Sequence, residues 1–390
     1  MMSDLLAGNV LAVQLECLSP VSNAILGGII SEALNYESIE EIYGSINGFR
    51  GILNHNLIDL ALQPQQTIRD LMFTPGAVLG VSESIGRSPE EMEAIFAAFE
   101  EYNIHFLFVI GGLQAQVITL ELSKVAQKRN YKIQIISIPD TIYNNLPITD
   151  HCLGYGSAVK FIAATLKELS CYMAAVANHD LVNIVEIKSG KSDWLVASAL
   201  LDGNTSNIIL LPSDTFSEGN FLKSVQNMLK ANTYCNVIAG DFLINEDGNY
   251  VTGQGMDTAT KLREILEESL EVRVLATKLG ALPYTSAHFL SKTDIDEAYV
   301  CGIKAVSFAL DDITGKMVTI LRSESTRYGV EYGMADLANI CGHEKGIPEH
   351  WFNEDGKLNN NFAKYSLPLI QGNMTPTEID GLPKFAVLKK

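Results

Sequence analysis

The chain has 390 residues, 47% of them apolar and 19% charged, which excludes disordered, fibrous and disulfide-scaffold classes and, at about 150 residues per domain, predicts two to three domains. Lys and Arg number 28 against 46 Asp and Glu, a net charge of −18, and bases gather only in pairs such as Lys128-Arg129 and Lys389-Lys390, which argues against a nucleic-acid or membrane-surface role. Cys17, Cys152, Cys171, Cys235, Cys301 and Cys341 make no CxxC or Cys/His zinc spacing, no run of about 18 uncharged apolar residues occurs, and Asp4 stands where a signal peptide would carry Lys or Arg, so reduced thiols and a cytoplasmic location are expected.

Asn9-Val10-Leu11-Ala12-Val13-Gln14 is a short apolar run that stops at Leu18-Ser19-Pro20 and precedes helix-spaced Ile25, Ile29, Ile30, Ala33 and Leu34, which reads as strand, loop, helix. Glu41-Ile42-Tyr43-Gly44 closes a second strand. Pro89-Glu90-Glu91 opens a helix through Tyr102, and residues 105–110 form a continuous buried-strand run ending on Gly111-Gly112. A further helix leads to a strand over 133–138. Strands are expected again over 179–187, 207–211 and 236–239, with helices over 194–201, 221–229 and 258–270, and a last helix over 297–310.

This alternation predicts an α/β fold of two doubly wound domains with parallel-type sheets and a cleft between them. Residues 1–153 plus 291–345 are expected to form the larger domain and 154–290 the smaller. Residues 346–390 are expected as a C-terminal wrap, ordered by Trp351, Phe352, Phe362, Tyr365 and Leu367. In such sheets ligands sit beyond the carboxyl ends of the strands, so the loops after the strands are where chemistry is expected.

Four pieces in those loops have a specific order: Gly48-Phe49-Arg50-Gly51-Ile52-Leu53; Ile110-Gly111-Gly112; Ile138-Pro139-Asp140-Thr141-Ile142-Tyr143-Asn144-Asn145-Leu146 running on to Thr149-Asp150-His151-Cys152-Leu153-Gly154-Tyr155-Gly156-Ser157; and Ser291-Lys292-Thr293-Asp294. Their order and spacing resemble the phosphofructokinase family, nearest its long pyrophosphate-dependent bacterial branch, over essentially the whole chain. The resemblance implies phosphoryl transfer from pyrophosphate or ATP to the 1-hydroxyl of fructose 6-phosphate with magnesium, in a cleft completed by a neighbouring subunit. Such a reaction needs a metal ligand, a base at the attacking hydroxyl, and cations and backbone N–H groups around the phosphates.

At each matching position the residues depart from what the resemblance implies. The family's glycine-rich donor loop is Leu15-Glu16-Cys17-Leu18 here, and Glu83 stands where the family places a phosphate-binding arginine. After Gly111-Gly112 the family has a magnesium-binding aspartate, whereas this chain has Leu113 and Gln114, neither of which offers the charged oxygen a hard cation prefers. The signature Pro-Lys-Thr-Ile-Asp-Asn-Asp supplies a pyrophosphate-binding lysine and a base, replaced here by Asp140 and Tyr143, with Thr141 kept and Asn145 at the second aspartate. A phenol with an ordinary pKa of about 10 is a poor base at neutral pH. On the sugar-phosphate side the family arginine is Gly190 within Lys188-Ser189-Gly190-Lys191, its glutamate corresponds to Asp241, and its Gln-Arg pair to Pro283-Tyr284. Gly190-Lys191-Ser192 is no P-loop, because Val185 occupies the position of the first glycine.

Three readings stand on the sequence. One is a catalytically inactive relative with a regulatory or structural role, partnering itself as dimer or tetramer or an active phosphofructokinase, and holding no cofactor or metal. Another is an active enzyme that recruits magnesium and carboxylates such as Asp150 or Glu186; Asp150 otherwise reads as a structural or capping group. The third is a protein for a less charged small molecule in the inter-domain cleft, contacted by Tyr143, Tyr284, Gln114 and Gln116. The histidines are scattered, and His151 and His288 are expected as neutral hydrogen-bonding groups.

Overall fold

The apolar run at 9–14 becomes strand β1 (Gly8–Leu15), followed by α1 (Ser22–Ala33), β2 (Ile39–Ser45), α2 (Phe49–Leu53), β3 (Leu57–Asp59), α3 (Gln65–Leu71), α4 (Pro89–Glu101), β4 (Ile104–Gly111), α5 (Leu113–Arg129) and β5 (Gln134–Pro139). Next come α6 (Tyr155–Val176), β6 (Leu181–Ile187), α7 (Asp193–Ala197), β7 (Asn207–Leu210), β8 (Thr215–Phe216), α8 (Glu218–Ala231), β9 (Tyr234–Gly240), β10 (Ile244–Asn245), α9 (Thr258–Ser269) and β11 (Arg273–Lys278). Then α10 (Leu282–Thr285), β12 (Leu290–Ser291), α11 (Lys292–Leu310), β13 (Lys316–Arg322) and β14 (Val330–Asp336) lead into the C-terminal segment. The structure is a computed structural model that describes residues 6–16, 19–82, 88–177, 180–252 and 256–389. His179, at the head of the expected strand 179–187, lies outside them.

The chain divides into two compact units, one built from residues up to Ser157, Tyr284–Lys345 and Gln371 onward, the other from Ala158–Pro283 and Gly346–Ile370. The tail expected as a single wrap therefore divides. Residues 346–370 belong with the second unit, because Trp194 on α7 is almost fully buried against Trp351, Phe362 and Tyr365, with ring centroids 5.9, 6.3 and 5.2 Å away. Residues from 371 belong with the first, where Leu290 pairs with Met374 and Ala386 N–H donates to Thr74 Oγ1 at 2.8 Å.

In the first unit the described residues form a seven-stranded sheet of order β14-β13-β5-β4-β1-β2-β3, parallel except at the edges, where β13–β14 and β2–β3 run antiparallel. Alternation along the strands fills both faces. Val10 and Ala12 of β1 with Phe106, Phe108 and Ile110 of β4 pack on the α1/α11 side, while Leu11, Val13, Leu107 and Val109 pack on the α4/α5 side. The second unit holds a parallel four-stranded sheet of order β11-β6-β9-β7, over which α8 and α9 place Phe221, Val225, Leu262 and Leu266.

Helix boundaries differ from expectation where tertiary contacts override local signals. Leu34 is 53% exposed and caps α1 rather than extending its apolar face. The helix expected from 297 starts at Lys292, and that expected over 194–201 splits into α7 and a 3-10 turn at Ser198–Asp202. The 22-residue α6 has no counterpart in the sequence reading, since its N-terminal turn lies inside the motif run 149–157.

Helix α1 is buried almost all round, and it reaches α11 through two glycines. A Cβ on Gly28 would lie 2.1 Å from the Tyr299 carbonyl oxygen, and one on Gly302 would lie 2.2 Å from that of Ile25, so both contacts are with backbone that side-chain rotation cannot relieve. Gly302→Ala should therefore destabilise the protein by about 1–3 kcal/mol or more, despite alanine's better helix propensity. Urea unfolding should show a lower midpoint; an unchanged or higher midpoint would contradict the close crossing.

Candidate functional site

Chain connections from β1 and β4 leave in opposite directions across the first sheet, which opens a crevice at the carboxyl ends of these neighbouring strands. Leu15 lies opposite Gly111, and Gly111 opposite Pro139, so Glu16, Gly112 and Asp140 emerge side by side. Glu16 holds a left-handed backbone with φ of 65°. Cys17 and Glu83 lie outside the described residues. Behind the crevice, Gln14 donates to Asn23 Oδ1 at 3.0 Å and accepts from Leu79 N–H at 3.1 Å, while Asn23 binds the Thr74 carbonyl at 2.8 Å and Val78 N–H at 2.9 Å. These bonds tie residues 74–79 to β1 through side chains.

Gly111 is required by the chain path, since a Cβ there would meet the Leu15 carbonyl oxygen at 2.3 Å. Gly112 precedes α5, whose first residue Leu113 turns into the apolar cluster of Leu146, Cys152 and Met317. Gln116 donates back to the Gly111 carbonyl at 3.1 Å, and its buried Oε1 has no partner. No carboxylate stands in residues 111–116, with Gln114 at the second turn position, and among the described residues no group of three His, Cys, Asp or Glu side chains converges for a metal. This donor set does not fit magnesium.

Asp140 is 1% exposed. Ser22 Oγ, in the first turn of α1, donates to its Oδ2, and its Oδ1 has no hydrogen-bond partner. Burial, only partly offset by the hydroxyls of Ser19 and Ser22 and reinforced by nearby Asp294, pushes its carboxyl up to about 7. Asp294 itself accepts the N–H groups of Gly154 and Ser157 at 2.9 and 2.8 Å. Gly154, at φ of 90°, passes so close to Ser19 that a Cβ would lie 2.4 Å from that side chain.

Beyond Asp140 the loop is folded on itself. Thr141, buried, accepts Tyr143 N–H on its hydroxyl at 3.2 Å. Tyr143 and Tyr284 join hydroxyl to hydroxyl, their rings edge-on with centroids 6.3 Å apart, so the structure brings together two residues 141 positions apart in sequence. Asn145 reaches Glu344 at 3.4 Å, and its carbonyl accepts Lys345 N–H at 2.8 Å. Lys345 Nζ then binds Asn144 Oδ1 and the carbonyls of Thr149 and Asp150 at 3.1, 3.2 and 2.8 Å.

His151 corrects the expectation of a neutral histidine. Its Nδ1 lies 2.9 Å from Asp150 Oδ2 and its Nε2 2.7 Å from Glu297 Oε2. Ionised carboxylates only accept, so both ring nitrogens donate and the ring is an imidazolium. Burial opposes that charge, but Glu297 and Asp150 outweigh it and carry the pKa to about 9. Arg322 closes the cluster on Asp150 at 2.9 Å, and Tyr328 donates to Glu297 at 2.7 Å. Arg322, Tyr328, Glu297 and Lys345 carry no local signature, and their roles were absent from the sequence reading. Asp150 is engaged by both His151 and Arg322.

In the second unit, Ser189 donates from its N–H and its hydroxyl to Asp241 Oδ1, both at 2.8 Å, bridging the ends of β6 and β9. Gly190 and Lys191 follow with φ of 56° and 67°, closed by Ser192 N–H on the Ser189 carbonyl at 2.9 Å. This turn sets Lys191 Nζ 5.6 and 5.7 Å over the rings of Phe242 and Tyr250. Lys188 is exposed, and Glu186 spends a carboxylate oxygen on Ala259 N–H of α9 at 2.8 Å.

The His151 cluster predicts how stability varies with pH. A folded-state pKa of about 9 against an ordinary 6.5 gives a contribution fully present below about pH 6.5 and lost as pH rises through 9. Urea unfolding at pH 6, 7.5 and 9.5 should show that decline. His151→Leu, which leaves Asp150 and Glu297 without their shared cation, should lower stability by about 3–5 kcal/mol and flatten the decline; an unaltered pH dependence would remove His151 as its source.

Residues 9–308 match the family model described as phosphofructokinase. The pyrophosphate–fructose 6-phosphate 1-phosphotransferase of Halomonas elongata is 28% identical over 96% of this chain and 94% of its own, and that of Xanthomonas campestris pv. campestris is 29% identical over 98% and 96%. Among solved structures, the pyrophosphate-dependent phosphofructokinase of Nitrosospira multiformis superposes with a TM-score of 0.90 at 31% identity, covering 98% of this chain and 97% of that one. The protein from Marinobacter aquaeolei gives 0.89 at 29% identity over 97% and 95%. With a parallel α/β architecture, the four motif runs and likeness along nearly its full length, the chain belongs to the phosphofructokinase family.

Proposed function

We propose that this phosphofructokinase-family protein does not transfer phosphoryl groups and instead serves as a regulatory or structural partner in the cytoplasm, assembling with copies of itself or with an active phosphofructokinase. The observation that carries this reading is the Tyr143–Tyr284 hydroxyl pair. By resemblance, Tyr143 stands at the position of the base that takes the sugar hydroxyl proton. A phenol ordinarily titrates near pH 10, which makes it a poor base at neutral pH, and a positioned base contributes about 10²–10⁴-fold. The carboxylates the active reading would recruit are engaged elsewhere, Asp150 with Arg322 and His151 and Glu186 with the head of α9.

The remaining requirements fail in the same direction. The residues after Gly111-Gly112 do not fit a magnesium ion, and Asp140 puts a carboxyl where resemblance places a pyrophosphate-binding lysine. The named activity of the Halomonas and Xanthomonas relatives is the chemistry this scaffold hosts in them; here the scaffold is kept and the groups for that chemistry are replaced.

The test is an assay of the purified protein with fructose 6-phosphate, magnesium and either pyrophosphate or ATP. Expected turnover is at least about 10⁴-fold below a typical enzyme rate of about 10 s⁻¹. A Tyr143→Asp/Asp140→Lys variant, folded by circular dichroism, reports whether any activity returns with those groups. Turnover by the unmodified chain at ordinary rates would overturn the proposal, and co-purification with an active phosphofructokinase would support the partner role.

A further inference from the structure

We infer that the second unit carries a small-molecule site along the free edge of β7, suited to an uncharged aromatic lactam or amide whose adjacent N–H and C=O meet the main chain of Ile209. The inference goes beyond the proposed function and does not depend on it, since every residue involved belongs to the second unit and no phosphoryl transfer enters.

A cavity of about 970 Å³ lies there, within the size range of small-molecule sites. All four residues of β7, Asn207 to Leu210, line it. Side chains of a strand alternate between faces, so a cavity touched by four in a row runs along the strand's edge. That edge is open, because β7 ends its sheet and pairs only with β9 among the described residues. The register fixes which main-chain groups turn outward. Asn236 of β9 lies opposite Asn207, and its N–H donates to the Ser206 carbonyl at 3.0 Å. Ser206, Ile208 and Leu210 therefore face β9, while Asn207, Ile209 and Leu211 face away. Leu211 is already closed off, its N–H donating to Asp214 Oδ2 at 3.2 Å and its carbonyl accepting Asp214 N–H at 3.0 Å. Asn207 and Ile209 are left to serve the cavity, too short a run for a peptide to add as a strand and sufficient for one small molecule to take a donor and an acceptor.

The walls set the rest of the ligand's character. Ile208 and Leu210 pack with Phe216 and Phe221, an apolar and aromatic side suited to a flat ring. On α8, exposed Asn220, Ser224 and Asn227 recur at spacings of four and three and turn neutral amides and a hydroxyl to the same cavity. Among the described residues the lining holds one cation, Lys357, and it is paired with Asp355 at 3.3 Å. With Asp214 also present, an anionic ligand finds no counter-charge there, whereas an uncharged ring with a polar edge meets apolar walls and main-chain partners.

The experiment titrates the full-length protein with carbostyril, an uncharged aromatic lactam, by calorimetry. N-methylcarbostyril, which lacks the N–H donor, and quinaldate, an aromatic anion of similar size, are the comparisons. Carbostyril should bind at one saturable site per chain with a Kd of roughly 0.1–1 mM, and both comparison compounds about tenfold more weakly. Ser224→Trp, which places an indole in the cavity from an exposed helix position, should abolish binding. Ile209→Pro, which removes an outward N–H without touching the ladder to β9, should weaken it about tenfold. No saturable binding by the unmodified protein overturns the inference, as does equal binding of either comparison compound or undiminished binding by a Ser224→Trp protein that circular dichroism shows to be folded. Should Ile209→Pro not fold, Ser224→Trp and the N-methyl comparison decide. The readout is binding in the second unit, so failure here leaves the activity assay to judge the proposed function separately.

Discussion

The imidazolium of His151, itself fully buried and held between buried Glu297 and partly buried Asp150, is the constraint on which the site depends. It ties the loop after β5 to α11 through Glu297, and to β13 through Asp150 and Arg322. None of these charges is tolerable alone in the core, so each fixes the position of the others. Lys345 adds a second tie, binding the carbonyls of Thr149 and Asp150 and the side chain of Asn144. Residues 140–154 consequently have little freedom to rearrange, and the side chains at 140, 143 and 145 are displayed on a frame whose geometry does not depend on their identity.

Under the proposed function, that independence is how the fold is kept while the site is replaced. Asp140 and Tyr143 each find new partners within reach of the unchanged backbone: Asp140 turns to Ser22, and Tyr143 to Tyr284. In the second unit, Asp241 is bonded twice by Ser189, and the turn at Gly190 and Lys191 aims its lysine at two aromatic rings. At these positions the polar side chains bond one another, as buried polar groups do.

The fold was legible because its signals are local. Runs such as 105–110 and 133–138 can only be buried strands at that length and composition, and Ser88, Pro89 and Glu91 form a capping box that fixes the start of α4. The strands β3, β13 and β14 were not legible: the edge strand β3 has three residues, the edge strand β14 is half exposed, and β13 joins the sheet beside β5, distant from it in sequence. The site was legible as a set of positions through the order of its motifs. Its chemistry was not, because whether His151 is charged is decided by Glu297, 146 residues away, and the partner of Tyr143 comes from residue 284. The reading of His151 as neutral followed from its ordinary pKa, which two carboxylates displaced by more than burial could restore.

The glycines that survive in the motifs answer to the same logic and limit what they can be taken to mean. Gly111 is excluded from any larger residue by the Leu15 carbonyl, Gly154 by Ser19 and its left-handed backbone, and Gly51 by the Ile46 carbonyl 2.2 Å from where its Cβ would be. Each requirement comes from the packing of this unit alone and would hold with or without a substrate. Their retention therefore reports selection for a folded chain and carries no information about phosphoryl transfer. The residues that do carry such information are those the frame leaves free to vary, and at 113, 140 and 143 they provide an apolar side chain, a buried acid and a phenol.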